Sequence, residues 1–314
     1  MNGNNIGNPT VSIILPIYNG ERYISAAIES VRGQSYGQWE LLIIDDGSTD
    51  NSAAICEEYS NKDARIKVFH QSNNGVNSAR AKGVDIARGS YLTFLDADDA
   101  LPPHALDYMT GLFHDGVDLV ANGIIDKQLD RDEYVKALWE GKTGLVLWGK
   151  MFRASLFKKV EYALDRRIVM GEDLLLNSIY ALGINTAYLF SKEVYLVNRN
   201  NETSVTRSFK HNWEYEKLYF NKVDELFLSK CRDWNSYDQI RLLVNKSWLN
   251  AMKYVMLDGG RINYADAEFK VIQDYFRDRT KDLGLSEKLI FLVRNPYLYR
   301  TILKSRLALM RWRR

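Results

Sequence analysis

Asp96, Asp98 and Asp99 put three carboxylates within four residues, directly after the apolar run Tyr91-Leu92-Thr93-Phe94-Leu95. Like charges this close raise one another's pKa unless a cation shares them. Such hard oxygen ligands suit Mg²⁺ or Mn²⁺, which bind through one or two carboxylates together with the phosphates of a substrate. A polar turn after a strand is the plainer account of the same residues. Asp45-Asp46-Gly47-Ser48 ends another apolar run in the same way, and a carboxylate there can accept from a base N–H or a ribose hydroxyl. Pro16-Ile17-Tyr18-Asn19-Gly20 ends a third, where Tyr18 offers a flat face to a nucleobase. Between Asn73 and Arg80, Asn74 or Asn77 suits a helix cap, and the Arg80 guanidinium suits bidentate pairing with phosphate. A solvated surface arginine is the alternative.

These groups need a scaffold that brings them to one edge. Val11–Pro16, Leu41–Ile44, Ile66–Phe69 and Tyr91–Leu95 read as buried strands, because they are continuous short apolar runs bounded by turn residues. Helical spacing lies between them: Ile24, Ile28 and Val31; Ile55, Cys56 and Tyr59 behind a cap at Thr49 or Asp50; Val76, Ala79, Gly83 and Ile86. The alternation predicts βαβ units with right-handed crossovers and a parallel sheet, whose ligands bind at the carboxyl ends of its strands. Beyond Pro103 the pattern predicts a helix at 105–113, strands at 117–121, 145–152 and 186–197, and helices at 131–139 and from Glu172. From His211 it is helical, at 213–228, 237–257 and 265–276, which places a domain boundary near residue 210.

The 314 residues allow one large domain or two smaller ones. Two distant cysteines, Cys56 and Cys231, point to a reducing compartment and away from a zinc site. The polar first ten residues lack a secretory core, and no stretch reaches the ~20 apolar residues of a membrane span. The net charge of +2 is uneven. Residues 288–314 hold eight of the 42 basic residues and no acid, so the rest carries 34 basic against 40 acidic.

Taken in order, Val11-Ser12-Ile13-Ile14-Leu15-Pro16-Ile17-Tyr18-Asn19, Leu42-Ile43-Ile44-Asp45-Asp46-Gly47-Ser48-Thr49-Asp50, Asn74-Gly75 through Ala79-Arg80, and Leu95-Asp96-Ala97-Asp98-Asp99 resemble the family 2 glycosyltransferases. The resemblance covers about residues 9–206. It implies the GT-A fold, a Rossmann-like, mostly parallel α/β sheet flanked by helices and followed here by an α-helical C-terminal region. It also implies inverting transfer from a nucleotide-sugar, a UDP-sugar first, to a glycan or lipid-linked glycan of the cell envelope, with Mn²⁺ or Mg²⁺. By position, Asp46 binds the uracil N3–H beside Tyr18, Asp96 contacts the nucleoside or donor sugar, and Asp98 holds the metal against the diphosphate. Pro16, Asn19, Glu21, Asp45, Asn74, Gly75, Arg80 and Ala97 complete the donor set. Gly171-Glu172-Asp173 resembles the acidic element that supplies the base, with Asp173 as base and Glu172 orienting the acceptor. Trp148 and Lys150 match a Trp-x-Lys acceptor element, and Arg199 with Ser204-Val205-Thr206 a loop over the diphosphate. Ala81 and Lys82 stand where the family often has Asn, and Tyr195–Arg199 lacks a second aromatic.

Phe291, Tyr297, Tyr299 and Trp312 alternate with Arg294, Arg300, Lys304 and Arg311 in the basic tail, a pattern suited to an anionic membrane surface. No nucleic-acid module accompanies it; a solvated terminal helix or an oligomer contact is the alternative. The expected location is the cytoplasm, or the cytoplasmic face of the inner membrane. Two other functions fit parts of the pattern: a sugar nucleotidyltransferase, for which Pro16–Gly20 lacks the glycine-rich phosphate loop, and a non-catalytic subunit that binds nucleotide-sugar.

Overall fold

The computed structural model describes residues 10–114, 116–159, 164–199 and 209–303. The chain divides into two compact units, Met1–Ser204 and Val205–Arg314.

The first half of the N-terminal unit alternates β1 (Val11–Ile17), α1 (Ile24–Arg32), β2 (Trp39–Asp45), α2 (Ser52–Lys62), β3 (Ile66–His70), α3 (Val76–Ile86) and β4 (Tyr91–Phe94). All residues of β1 and β2 are buried, as expected of strands covered on both faces. The β1–β2, β2–β3 and β1–β4 pairings are parallel. On α1, Ile24, Ile28 and Val31 face the core as their spacing predicts. On α3 the face is rotated: Val76 is exposed, and Ala79, Arg80 and Gly83 are buried. Gly83 permits close approach to β1, since a Cβ there would stand 2.5 Å from Ile14 Cγ2. The start of α3 is also not as expected: its cap is Gly75, at φ 91°, and neither Asn74 nor Asn77. Ahead of α2, Asp50 Oδ1 accepts from the Ser52 N–H, while the cap position itself is Asn51.

The second half adds α4 (Ala105–Gly111), β5 (Leu119–Asn122), β6 (Lys127–Asp130), α5 (Arg131–Trp139), β7 (Lys150–Arg153), α6 (Glu172–Ala181) and β8 (Thr186–Phe190). The sheet has eight strands in the order β3-β2-β1-β4-β7-β5-β8-β6, with β7 antiparallel to both neighbours and β6 antiparallel to β8. The sheet is therefore mostly parallel. Three expectations change here. The strands expected at 145–152 and 186–197 are shorter, because 145–149 and 191–199 are loops. β6 carried no apolar signal, since Leu129 is its one buried residue on a polar sheet edge.

The C-terminal unit is helical in its described part: α7 (Trp213–Leu226), α8 (Tyr237–Leu257), α9 (Ala267–Phe276) and α10 (Leu285–Leu292). Among the described residues no helix is long and apolar enough to cross a membrane. Part of the expected amphipathic tail is committed within this unit. Tyr299 is fully buried and donates to the Ser286 carbonyl, Arg300 donates to the Leu257 carbonyl, and Arg294 lies over the Tyr264 ring. Residues 304–314 lie outside the described residues.

Candidate active site

The β1–β4 ladder ends at the pair Ile14–Phe94, while β1 and β2 stay paired to Ile17–Asp45. The carboxyl ends of β1 and β4 thus part at the point where the strand order reverses, which is where open α/β sheets bind ligands. Pro16, which has no N–H to give, sits beyond the end of the β4 ladder. Tyr18 follows it, 52% exposed. Asn19 has φ 50°, and its Oδ1 accepts from the Thr49 N–H at 2.8 Å. Glu21 Oε2 accepts from the Asn51 N–H at 2.9 Å. These side chains tie the β1–α1 loop to the β2–α2 loop, so they brace the rim of the crevice.

The two aspartates at the end of β2, Asp45 and Asp46, are engaged with the neighbouring loops. Asp45 is buried, accepts from the Ser48 N–H at 2.9 Å and pairs with His70 Nδ1 at 2.9 Å. Burial pushes its carboxyl up, and these hydrogen bonds outweigh that and hold it below the usual range. Asp46 accepts from Gln71 Nε2 and from the Asn74 and Gly75 N–H groups, all at 2.8–2.9 Å. Both carboxylates shape loops in this structure. The Asn74 side chain donates to Ser72 Oγ.

Arg80 departs furthest from expectation. Its guanidinium is 6% exposed and engaged, donating from Nη1 to Asp173 Oδ1 at 2.8 Å and from Nη2 to Asp96 Oδ1 at 3.1 Å. It is not the solvated surface arginine of the alternative reading. Burial opposes its charge, and Asp173 and Asp96 outweigh that opposition. Asp96 is pushed up by burial, against the pull of Arg80. Its backbone N–H donates to the Tyr195 hydroxyl at 3.0 Å.

Of the other two carboxylates after β4, Asp98 is half-buried. Asp99 turns inward at 7% exposure and accepts from the Asn198 N–H at 2.7 Å. Burial pushes Asp99 up to about 6, with Asn198 and Tyr195 opposing. Ala97 packs against the core. Among the described residues no three His, Cys, Asp or Glu side chains gather to hold a metal ion. The hard oxygens of Asp98 and Asp96 still fit Mg²⁺ or Mn²⁺ where a substrate's phosphates supply the remaining ligands.

Glu172 and Asp173 open α6 behind Gly171, at φ 79°. Asp173 Oδ2 also lies 3.4 Å from the Leu147 N–H. Glu172 is pushed up to about 7, by burial first and then by the neighbouring Asp173 charge. Trp148 stacks on Tyr195 with ring centroids 4.5 Å apart and planes at 12°. Together with Arg199 they line an open cleft of about 380 Å³. Lys150 does not reach that cleft. It is 1% exposed, and its Nζ donates to the Gly144 and Val146 carbonyls, while the Asn177 amide donates to those of Leu145 and Val146. Burial pushes it down to about 7 against the pull of Asp173. Its work is to shape the 144–149 loop. Ser204-Val205-Thr206 lies outside the described residues.

Sequence reasoning did not single out Tyr195, Gln71 or His70. Tyr195 is one aromatic in a loop, and its hydroxyl reaches back 99 positions to Asp96, a relationship no local pattern carries.

Residues 12–171 match the family model described as glycosyl transferase family 2. EpsH of Bacillus subtilis (strain 168), named as a glycosyltransferase, is 36% identical over 167 residues, 48% of each chain. The chain thus spans about half the length of that relative. EpsJ of the same organism, also named as a glycosyltransferase, is 30% identical over 249 residues, covering 73% of this chain and 71% of EpsJ. In structure, S. aureus TarS in complex with UDP-GlcNAc is similar with a TM-score of 0.68 at 18% identity, over 95% of this chain and 92% of TarS. Mannosyltransferase PcManGT from Pyrobaculum calidifontis, in complex with GDP-Man and Mn²⁺, is similar with a TM-score of 0.52 at 14% identity, over 91% of this chain and 79% of the other. Both are likenesses of fold.

Proposed function

The chain belongs to glycosyl transferase family 2, and on that premise we propose that it transfers a sugar, with inversion, from a UDP-sugar to a hydroxyl of a glycan or lipid-linked glycan. One observation carries the reading: the Arg80 guanidinium holds both Asp96, at the end of β4, and Asp173, at the start of α6. The donor segment and the acidic element thereby meet in one site. The UDP-GlcNAc complex of TarS and the GDP-Man and Mn²⁺ complex of PcManGT, proteins of the same fold, support a nucleotide-sugar donor and a divalent ion.

In this reading the uracil lies against Tyr18, and Asp98, with Asp96 beside it, would hold the divalent ion. When bound, the ion offsets negative charge on the diphosphate as it leaves. Arg199, exposed and lining the cleft with Trp148 and Tyr195, would pair with the same oxygens. Asp173 acts as general base: the acceptor hydroxyl oxygen bonds to the donor's anomeric carbon, the bond to the diphosphate breaks, and the hydroxyl proton passes to the carboxylate. Arg80 fixes one oxygen of that carboxylate and so sets its direction. Glu172, whose carboxyl is pushed up by burial and by the neighbouring Asp173 charge, orients the acceptor by a hydrogen bond. Trp148, backed by Tyr195, forms the wall on which the acceptor packs. Residues 1–210 serve as the donor-binding and catalytic domain and 211–314 as a helical appendage.

The test is a thermal-shift panel of UDP, GDP, dTDP and CMP with EDTA, Mg²⁺ or Mn²⁺, followed by turnover of UDP-sugars. A ligand that binds only the folded state raises the melting temperature by mass action. UDP with Mn²⁺ is expected to give the largest shift. A panel with no shift under any metal condition overturns the reading, and binding without turnover favours a non-catalytic subunit.

A further inference from the structure

Tyr195 touches both halves of the site, through two different parts of one side chain. It is buried, in the 191–199 loop that follows β8. Its ring stacks on Trp148, the neighbour of Leu147, whose N–H lies 3.4 Å from Asp173 Oδ2. Its hydroxyl accepts from the Asp96 N–H at 3.0 Å, at the start of the turn that carries Asp96, Asp98 and Asp99. Arg80 joins Asp96 to Asp173 directly. Tyr195, Trp148 and Leu147 join them by a second route.

The turn leans on the same loop at its far end. Ala100 and Leu196 exchange both backbone hydrogen bonds, at 3.0 and 2.8 Å, and the Asn198 N–H donates to Asp99 Oδ1 at 2.7 Å. At the near end, Arg80 holds the Asp96 carboxylate and the Tyr195 hydroxyl holds the Asp96 N–H. A buried N–H that loses its acceptor is costly, so the backbone shifts to find another. A shift at Asp96 carries Asp98, two residues on, with it. Stacking against Trp148 limits the torsions that place the hydroxyl.

We propose that Tyr195 is a positioning residue for the divalent ion: its hydroxyl sets the backbone on which Asp96 and Asp98 stand, and Trp148, through the stacked ring, sets the hydroxyl. The proposal rests on the transferase reading of those two aspartates. Groups that hold a metal ligand in place typically change metal affinity by about 10–100-fold when removed. Here the group that does so belongs to the wall assigned to the acceptor, so that wall bears on the metal site.

The test titrates Mn²⁺ into the full chain with saturating UDP and reads the melting temperature, each variant against its own melt in EDTA. Tyr195→Phe keeps the ring and removes the hydroxyl. The Mn²⁺ concentration that gives half the shift is expected to rise about tenfold or more, with the UDP shift in EDTA unchanged. Trp148→Ala removes no metal ligand and is expected to raise the same concentration severalfold. The double variant should be no worse than Tyr195→Phe, because both changes act through one hydroxyl. A Tyr195→Phe titration that matches the parent overturns the proposal. So does a parallel loss of the UDP shift in EDTA, which marks a general loosening of the site, or full additivity of the two substitutions. A parent with no Mn²⁺-dependent shift instead fails the transferase reading itself, and the proposal falls with it.

Discussion

Arg80, on α3, and Asp173, in the first turn of α6, stand 93 positions apart in the chain and meet through a 2.8 Å hydrogen bond inside the protein. The same guanidinium reaches Asp96 through its other terminal nitrogen. A planar fork can hold two carboxylates in fixed directions, which a lysine ammonium cannot.

Arg80→Lys is therefore expected to fold and yet lose at least tenfold in kcat, with smaller change in donor KM. Arg80→Met leaves two partly buried carboxylates without their cation and should cost about 1–3 kcal/mol of stability. Steady-state kinetics and urea unfolding measure the two effects. Equal activity of Arg80→Lys and the parent would show that the fork does not position the base.

Asp173→Asn keeps the shape of the side chain and its hydrogen-bond acceptor but cannot take a proton at neutral pH. The expected result is a loss of about 10²–10⁴ in kcat, the scale of general-base catalysis, with the UDP thermal shift preserved. Full activity would move the base elsewhere.

Asp98→Asn should abolish the part of the UDP thermal shift that depends on Mn²⁺ while leaving any shift seen in EDTA. If the EDTA and Mn²⁺ shifts of the variant both match the parent, Asp98 does not hold the ion.

Asp99 sets a pH dependence of stability. Its folded pKa, about 6, lies above the ordinary 3.8 because burial disfavours the charged form. Its stabilising contribution is thus fully present below pH 3.8 and is lost as pH rises through about 6. Asp99→Asn accepts the same Asn198 N–H without a charge, so it should be more stable than the parent at pH 8, by about 1–3 kcal/mol, and nearly equal to it at pH 4. Urea titrations at the two pH values decide this; an equal gain at both would exclude ionisation of Asp99 as the cause.

The sequence alone determined the parallel half of the sheet and the edge at which the chemistry lies. Continuous apolar runs such as Ile13 to Pro16 and Leu41 to Ile44 have one stable place, a strand covered on both faces, and polar motifs following such runs must emerge at the strands' carboxyl ends. Hydrophobic pattern reports which faces are buried, and it is silent about edge strands such as β6, where one buried residue is enough. Only the tertiary structure decided what each polar side chain meets. Asp45 and Asp98 look alike on paper, yet one is locked to Ser48 and His70 and the other stands at the crevice. Arg80 reads as a phosphate partner and Lys150 as part of an acceptor element, yet the first is buried between two carboxylates and the second under loop carbonyls. The reason is physical: a buried charge takes the partner that lowers its energy most, and that partner lies wherever the fold brings it, tens of residues away along the chain.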